Sequence, residues 1–480
     1  MDPRYPRVCV IGAGSSGITV IKALKDRDIP FDCFERSDEI GGNWLYKNAN
    51  GMSSAYESLH INTSRDRMSY ADYPMPPDYP DFPGHAPIQA YFKDYVDHFG
   101  LRNHITFKTS VEHAKLLEDK TWQVDLDNGE TRFYDVLMVA NGHHWDPRWP
   151  APGDFPGKFD GIVMHSHYYH TPTEPHDLEG KRVAVVGMGN SAMDIACELS
   201  RPGIAEKLFL SARRGAWIIP NYLFGKPLDD LGGTHPLMPI GVQRFIFRTL
   251  MRMSVGSPVK YGLPEPDHKL LEAHPTVSQD LPVRVGRGDI TPKPIITELL
   301  GDSVRFADGT VEKADAIIYC TGYKVTFPFF DADFISAPKN DLPLWKRMIK
   351  PGIPNLMFIG LLQPLGAIMP LAEAQGKFLG DYLQGRYLLP SKHEMEKEIE
   401  AERRKMFKRY VKSDRHTMQV DYDLYLYRLD QDRKAGIKRA ERAGHALPIL
   451  PKAHKHAEAA ESGPPEAAPA EDAGAREATA

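Results

Sequence analysis

Two glycine-rich turns in the sequence have the spacing of dinucleotide-binding sites. The first has the form GxGxxG and comprises Gly12, Gly14 and Gly17. It lies between the apolar run VCVI and an apolar helical pattern, and Glu35 closes the next apolar run, FDCFE. Glycine allows a tight turn that approaches a pyrophosphate at a helix N-terminus, and an acid at that position can accept hydrogen bonds from ribose hydroxyls. The first turn therefore suits a nucleotide with a free ribose.

The second turn, GMGNSA, predicts a different nucleotide. Gly187 and Gly189 are followed by Ala192 in the third position, and the next strand pattern, KLFLSARRG, ends without an acid. The polar residues at that end are Ser211, Arg213 and Arg214. A guanidinium can bind a ribose 2′-phosphate through paired hydrogen bonds, whereas an acid would repel it. Either arginine alone could simply face solvent. FAD at the first turn and NADPH at the second form an economical pair, because one passes hydride to the other.

Each turn belongs to a strand–turn–helix–strand unit. Residues 7–36 form one unit and residues 181–215 repeat it. The segments 134–142 and 314–323 also resemble each other, since each has an Asp, an apolar run and a short polar end with Gly. Such runs are typical of buried parallel strands that end near a ligand. We therefore expect an α/β fold with two Rossmann-like dinucleotide-binding domains, the NADP domain inserted into the FAD domain.

Domain boundaries follow from these units. We assign residues 1–170 to the first part of the FAD domain, 171–325 to the NADP domain, and 326–450 to the second part of the FAD domain with C-terminal helices. Residues 218–295, rich in Pro, aromatic residues and Met, are expected to form a partly helical insertion that shapes access to a site or forms a homodimer interface.

The C-terminal region carries two further signals. Ser391 and Glu394 have the spacing of a capping box and predict the start of a charged helix near Lys392. Residues 451–480, in which Ala, Glu, Pro and Gly dominate, are expected to be a disordered tail.

Composition narrows the class of protein. The chain has 480 residues, a formal net charge of −5 and no concentrated basic tract, so nucleic-acid binding is not expected. Its four cysteines form no CxxC pair, which argues against a metal site or a thiol–disulfide reductase. The first strand pattern begins within the first ten residues, and no apolar run reaches about 18 residues. We therefore expect no signal peptide and no transmembrane helix, and a cytoplasmic location.

A fingerprint between the two turns resembles that of a known family. The stretch FDGIVMHSHYY matches FxGxxxHxxxY through Phe159, Gly161, His165 and Tyr169. This pattern is similar to the signature of the flavin-containing monooxygenases. Other segments that resemble the family in its order are ERSDEIGGNW (35–44), NTSRDRMSYADYP (62–74), GMGNSAMDIA, FIGLLQPLGAIMPLAEAQ (358–375) and RYVKSDRHTMQVDYDLYL (409–426). The resemblance covers about residues 5–430.

The resemblance implies an FAD- and NADPH-dependent monooxygenase of the N,N-dimethylaniline monooxygenase type. In that family NADPH reduces FAD, the reduced flavin forms a C4a-hydroperoxide with O2, and a soft nitrogen or sulfur nucleophile takes one oxygen atom. The implied partners are a small-molecule nucleophile and O2. Because Tyr169 ends the fingerprint and His170 follows it, whereas Baeyer–Villiger enzymes usually have Trp there, nitrogen and sulfur oxidation is favoured over ketone oxidation. Two further candidate functions are a redox sensor without oxygenation and an oxidase that releases hydrogen peroxide.

The resemblance also implies roles for individual residues. Asn62 would lie beside the flavin C4a atom, where its amide can donate and accept at once. From the sequence alone, Asn62 could instead cap an Asx turn before Thr63. His165 and Tyr169 would lie at the hinge between the domains, where a structural role for His165 is favoured over a proton carrier. The polar tail resembles the soluble members, so no stable membrane anchor is expected.

Contacts with the cofactors are implied by position in the motifs. Those expected for FAD are Gly12, Ala13, Gly14, Ser15, Ser16, Gly17, Glu35, Asn43, Trp44, Asn62 and Thr63. Those expected for NADP are Gly187, Gly189, Asn190, Ser191, Ala192, Met193, Asp194, Ser211, Arg213 and Arg214.

Overall fold

Two parallel five-stranded sheets organise the chain in a computed structural model, which describes residues 1–231, 238–273, 275–409, 417–445, 447 and 449–456. The first sheet has the strand order Leu356–Phe358, Val136–Val139, Val8–Ile11, Phe31–Phe34, Ile105–Thr106. The second has the order Ile162–His165, Ala316–Tyr319, Arg182–Val186, Lys207–Ala212, Thr291–Pro294. Every strand of the second sheet falls between two strands of the first in the sequence. The predicted fold class, one Rossmann-like domain inserted into another, is therefore confirmed.

Two of the predicted boundaries are wrong. The strand Ile162–His165, assigned to the FAD domain by the boundary at 170, pairs in parallel with Ala316–Tyr319 of the second sheet. The strand Thr291–Pro294, assigned to the insertion, pairs in parallel with Lys207–Ala212. The second domain therefore begins before residue 162 and the insertion ends before 291. A short apolar run predicts a strand but does not tell which sheet it joins.

Two smaller strand groups pack on the two sheets, one on each, through shared apolar cores. One antiparallel group comprises Val111–Leu116, Trp122–Leu126 and Thr131–Tyr134. Another comprises Ile296–Gly301, Ser303–Phe306 and Val311–Lys313, with Gly157–Phe159 parallel to the first of them. Two-stranded pairs join Asp146–Pro147 to Tyr323–Lys324, Ile218–Ile219 to Thr276–Val277, Tyr222–Leu223 to Lys226–Pro227, and Gln363–Leu365 to Gln419–Asp421.

Helices pack on both sheets and form the C-terminal region. The α-helices of the described part are Ser15–Lys25, Arg65–Met68, His85–His98, Asn190–Leu199, Ile240–Ser254, Asp280–Arg287, Met369–Leu383, Lys392–Arg409 and Tyr422–Arg442. Short 3₁₀ turns occupy Gly42–Trp44, Arg102–His104, Ser166–Tyr168, Pro258–Tyr261 and Pro338–Asn340. Met369–Leu383 packs tightly on Ser15–Lys25, since a Cβ at Gly376 would lie only 3.3 Å from the Thr19 carbonyl oxygen. The late segment therefore returns to the first domain.

The C-terminal predictions have different outcomes. The capping box is confirmed, because the Glu394 carboxylate accepts from the Ser391 amide at 2.8 Å and Ser391 Oγ accepts from the Glu394 amide at 3.3 Å. The prediction of disorder is wrong for residues 451–456, since the amides of Lys452 and Ala453 donate to Asp135 at 2.6 and 3.1 Å. Residues 457–480 of the predicted tail lie outside the described residues.

Candidate functional site

The first glycine turn has no room for side chains. Gly12 has a φ of +99°, and a Cβ there would lie 2.8 Å from the Ala140 carbonyl oxygen. A Cβ at Gly17 would lie 1.9 Å from the Gly12 carbonyl oxygen. The helix Ser15–Lys25 starts directly after the turn, so its N-terminal amides point to the carboxyl end of the first sheet. This is the cradle that a pyrophosphate requires, and the residues fit the diphosphate of FAD.

Glu35 fixes that turn in addition to closing its strand. The side chain is buried, and its two oxygens accept from the amides of Ala13 at 2.7 Å and Ser37 at 2.8 Å. Each carboxylate oxygen has two lone pairs, so both retain capacity for a ribose hydroxyl. The carboxylate therefore links the turn to the strand end that a nucleotide ribose would contact.

A cavity of about 880 Å³ is lined by residues of both domains. Predicted contact residues in its wall are Asn43, Trp44, Asn62, Thr63, Gly189, Asn190, Ser191 and Ala192. Those outside the wall are Gly12, Ala13, Gly14, Ser15, Ser16, Gly17, Glu35, Gly187, Met193, Asp194, Ser211, Arg213 and Arg214. The structure thus brings the 3₁₀ turn Gly42–Trp44, the segment around Asn62 and the start of helix Asn190–Leu199 to one cavity. The volume of this cavity is typical of a cofactor or ligand site.

Asn62 lines this cavity and carries an unsatisfied amide oxygen. Its Oδ1 atom is buried and, within the described residues, has no hydrogen-bond partner. In an Asx turn this oxygen would accept from the amide of Ser64, but that amide donates to Asp229 Oδ2 at 2.7 Å. The interpretation of Asn62 as a turn cap is therefore wrong for this structure. A buried acceptor without a partner is the group expected to bind a ligand.

The second glycine turn also excludes side chains. Gly187 has a φ of +148°, and a Cβ there would lie 2.6 Å from the Cys320 carbonyl oxygen. The helix Asn190–Leu199 begins after Gly189, and Ser191 in its first turn lines the cavity. Its free N-terminal amides fit a second pyrophosphate.

Three side chains predicted to contact NADP face elsewhere. Met193 is fully buried in the apolar core of the second domain. Ser211 is also fully buried, and its hydroxyl donates to the Pro294 carbonyl at 2.9 Å. The Asp194 carboxylate accepts from the Tyr56 hydroxyl at 2.5 Å, and burial raises its pKa. Side-chain contacts of these three with a nucleotide are therefore not supported, because each points into the protein.

The two arginines differ in their surroundings. Both follow the strand Lys207–Ala212 and both are exposed. Arg214 Nε lies 3.3 Å from Asp267 Oδ2 in an ion pair that is half-exposed on both sides. The structure thus distinguishes two residues that the sequence left equivalent, since one guanidinium already has an acidic neighbour.

The fingerprint residues have structural explanations. A Cβ at Gly161 would lie 2.4 Å from the Asp315 carbonyl oxygen and 2.7 Å from the ring of Phe159. Tyr169 is fully buried and donates to Glu198 at 2.8 Å. His165 is buried at the end of its strand, where its Nδ1 accepts from the His167 amide and burial lowers its pKa to about 4. A neutral, buried His165 agrees with the favoured structural role.

Sequence reasoning missed three polar residues of the cavity wall. Tyr56, Asp229 and His143 line the cavity, and burial holds the pKa of His143 well below its usual value. None belongs to a spacing pattern, although the adjacent histidines in NGHHW were a visible signal for His143.

Comparison with known proteins identifies the family. The model of the family "FMO-like: Flavin-binding monooxygenase-like" matches residues 5–437. This chain belongs to that family. Flavin-containing monooxygenase 5 of Rattus norvegicus is 40% identical over 438 residues, which are 87% of this chain and 80% of the relative. Dimethylaniline monooxygenase [N-oxide-forming] 2 of the same organism is 35% identical over 440 residues, 88% of this chain and 81% of the relative.

Solved structures of flavin monooxygenases share the fold. S-allyl-L-cysteine S-oxygenase from Allium sativum superposes with a TM-score of 0.66 at 24% identity, covering 95% of this chain and 98% of the other. Cyclohexanone monooxygenase from Rhodococcus sp. Phi1, in a structure bound to NADP+, gives a TM-score of 0.67 at 17% identity, covering 94% and 100%. At these identities the likeness concerns the fold alone.

Membership of the flavin-binding monooxygenase-like family confirms the predicted enzyme class and cofactors. The chain is an FAD- and NADPH-dependent monooxygenase. Its substrates include O2 and a small molecule. Of the helices in the described segments, none combines the length and apolar character needed to cross a bilayer.

Proposed function

We propose that this monooxygenase oxidises soft nitrogen or sulfur nucleophiles, with Asn62 as its catalytic residue. The observation that carries the proposal is the buried, unpartnered Oδ1 of Asn62, a residue in the wall of a cavity that both domains line. A relative at 35% identity is named for N-oxide formation, which supports nitrogen as an acceptor. Tyr169 followed by His170 at the end of the fingerprint favours the same reaction class.

The residues at the two turns have separate tasks in this proposal. The first turn, with Gly12 and Gly17, binds the FAD diphosphate, and Glu35 accepts from its ribose. The start of helix Asn190–Leu199 binds the NADPH diphosphate, and Arg213 binds the 2′-phosphate. Reduced FAD supplies the chemistry by activating O2. The Asn62 amide would contact the flavin and the nicotinamide at once, because it can accept with its oxygen and donate with its nitrogen.

A side-by-side substrate assay tests the reaction class. The FAD-loaded enzyme is incubated with NADPH and, separately, a thioether, a tertiary amine and a cyclic ketone. We expect sulfoxide and N-oxide to form in proportion to the NADPH consumed, and little lactone. Lactone as the main product would replace the proposal with ketone oxidation. NADPH-dependent flavin reduction without any oxygenated product would indicate a redox sensor instead.

The role of Asn62 is tested by the ratio of product to NADPH consumed. In Asn62→Ala we expect this ratio to fall and hydrogen peroxide to rise, because the amide that holds the reacting groups is lost. Asn128→Ala is a matched control, since Asn128 lies in an exposed turn of the antiparallel group and accepts only a local amide. Wild-type coupling in Asn62→Ala would remove the residue from its role.

Location and assembly complete the proposal. The four cysteines of the described part are all free thiols, which supports a reducing compartment such as the cytoplasm.

Exposed apolar side chains of the insertion, among them Phe224, Phe245 and Met253, support a homodimer interface. Light scattering of the purified enzyme tests the second point, and a monomer at micromolar concentration would contradict it.

A further inference from the structure

The segment that carries Asn62 is held by carboxylates of the other domain. We call residues 54–64 the Asn62 loop. It belongs to the FAD domain, because in the sequence it lies between the strands Phe31–Phe34 and Ile105–Thr106 of the first sheet. Some of its polar side chains form hydrogen bonds with the inserted domain. Three of its residues, Tyr56, Ser58 and Ser64, form hydrogen bonds with acids that follow residue 190 in the sequence.

Two of these contacts lie on the helix of the second glycine turn. The Tyr56 hydroxyl donates to Asp194 at 2.5 Å, and the Ser58 hydroxyl donates to Glu198 at 3.0 Å. Asp194 and Glu198 are four residues apart and therefore on one face of helix Asn190–Leu199. Glu198 is buried and also accepts from the fingerprint residue Tyr169 at 2.8 Å. The helix that would bind NADP at its start thus holds the Asn62 loop on its side.

The third contact comes from the insertion. Asp229 Oδ2 accepts from both the amide and the hydroxyl of Ser64, at 2.7 and 3.0 Å. Ser64 is buried and lies two residues after Asn62. The insertion is held nearby through Tyr222, whose hydroxyl donates to Asp81 at 2.8 Å and whose ring meets that of Phe82 edge-on. The loop is therefore held on both sides of Asn62 by the inserted domain.

We propose that Asp194 and Glu198 are positioning residues that transmit occupation of the second nucleotide site to Asn62, while Asp229 holds the loop on the other side of that residue. The contacts are hydrogen bonds to carboxyl groups in partly or fully buried places, where a hydrogen bond is electrostatically stronger than in water. A nucleotide that orders the start of helix Asn190–Leu199 also orders, through Asp194 and Glu198, the loop ahead of Asn62. The proposal rests on the role of Asn62 given above and adds the means by which bound NADP+ keeps that residue in place.

Hydrogen–deuterium exchange of the complete FAD-loaded enzyme tests the coupling without relying on turnover. Saturating NADP+ should slow exchange in peptides of the Asn62 loop by about tenfold, a size typical of coupling between two sites. In Glu198→Ala this slowing should shrink to less than about twofold, a loss of about fivefold or more, which is the lower end of typical coupling between sites. Glu198→Gln keeps an oxygen acceptor for Ser58 and Tyr169, and we expect it to restore most of the effect.

A second variant and a matched control separate positioning from folding. Tyr56→Phe removes only the hydroxyl that binds Asp194, and we expect it to weaken the NADP+ effect while the melting temperature stays close to that of the wild type. Tyr73→Phe removes a hydroxyl that donates to Asp94 at 2.6 Å within the FAD domain, and it should leave the effect unchanged. Both variants should be compared for the ratio of hydrogen peroxide to NADPH, which should rise only in Tyr56→Phe.

The outcomes distinguish this inference from the proposed function. If NADP+ protects the second glycine turn but not the Asn62 loop of the wild type, the coupling does not exist, although the reaction class stands. If Tyr56→Phe and Glu198→Ala keep the full effect, Asp194 and Glu198 are not its carriers. If NADP+ protects neither region, the assignment of the second site itself fails.

Discussion

Arg213 is the residue on which the preference for NADPH over NADH should mainly depend. Arg213 is exposed at the end of the strand after the second glycine turn. Arg214, in contrast, forms an ion pair with Asp267, with 3.3 Å between Nε and Oδ2. A charge-assisted hydrogen bond contributes about 1.5–3 kcal/mol, and solvent exposure places Arg213 at the lower end. Because about 1.4 kcal/mol corresponds to a factor of ten, we expect Arg213→Ala to lower the NADPH/NADH ratio of kcat/KM about tenfold.

The assay is the initial rate of flavin reduction by each nicotinamide with the FAD-loaded enzyme. Arg214→Ala is the comparison, and its effect should be smaller, because that guanidinium is partly neutralised by Asp267. In Asp267→Ala the freed Arg214 should raise the ratio. The reasoning is refuted if Arg213→Ala leaves the ratio unchanged, or if Arg214→Ala has the larger effect. Lowering the ionic strength should enlarge the Arg213 effect, since the site is open to solvent.

Two further predictions follow from the packing. The Gly17→Ala variant should lose most of its FAD on gel filtration, because the new Cβ would lie 1.9 Å from the Gly12 carbonyl oxygen. The control variant Gly241→Ala should retain its FAD, because a Cβ at that position meets nothing within 4 Å. Equal retention of FAD by the two variants would contradict the argument. Burial lowers the pKa of His165 to about 4 from 6.5, so unfolding takes up a proton between these values and wild-type stability falls as the pH is lowered through that range. At pH 5 the loss is at most about 2 kcal/mol, so the melting temperature of His165→Gln should depend less on pH than that of the wild type, and parallel profiles would exclude this contribution.

The fold could be predicted where local pattern and turn chemistry agree. Both glycine turns follow buried strands and start helices, and the capping box starts its helix, because these features depend on residues that are near in sequence. The boundary near 170 failed at the strand Ile162–His165, which joins the second sheet through Ala316–Tyr319. That pairing links segments that are far apart in the sequence, and no local signal selects it.

The site was predicted only in part, because a local motif gives the position of a residue in the chain but not its contacts with distant segments. Motif position led to Asn62, Asn43 and Ser191, which the structure places in one cavity wall. It failed for the side chain of Ser211, because a strand buried on both faces turns even a polar residue inward, where its hydroxyl bonds a backbone carbonyl. A motif fixes where the backbone passes the ligand, but it does not fix the direction of each side chain.

The contacts that hold the Asn62 loop could not be predicted from the sequence, because they join segments that are far apart in the chain. Tyr56 lies 138 residues from Asp194, and Ser64 lies 165 residues from Asp229. Contacts between segments so distant in the sequence depend on how the two domains pack, so neither spacing nor composition predicts them. If a reactive oxygen donor must survive only while NADP+ is bound, a loop fixed jointly by both domains serves that need better than one fixed by the FAD domain alone. The insertion of one domain into the other would then be part of the chemistry, because it places acids of the inserted domain against the loop that carries Asn62.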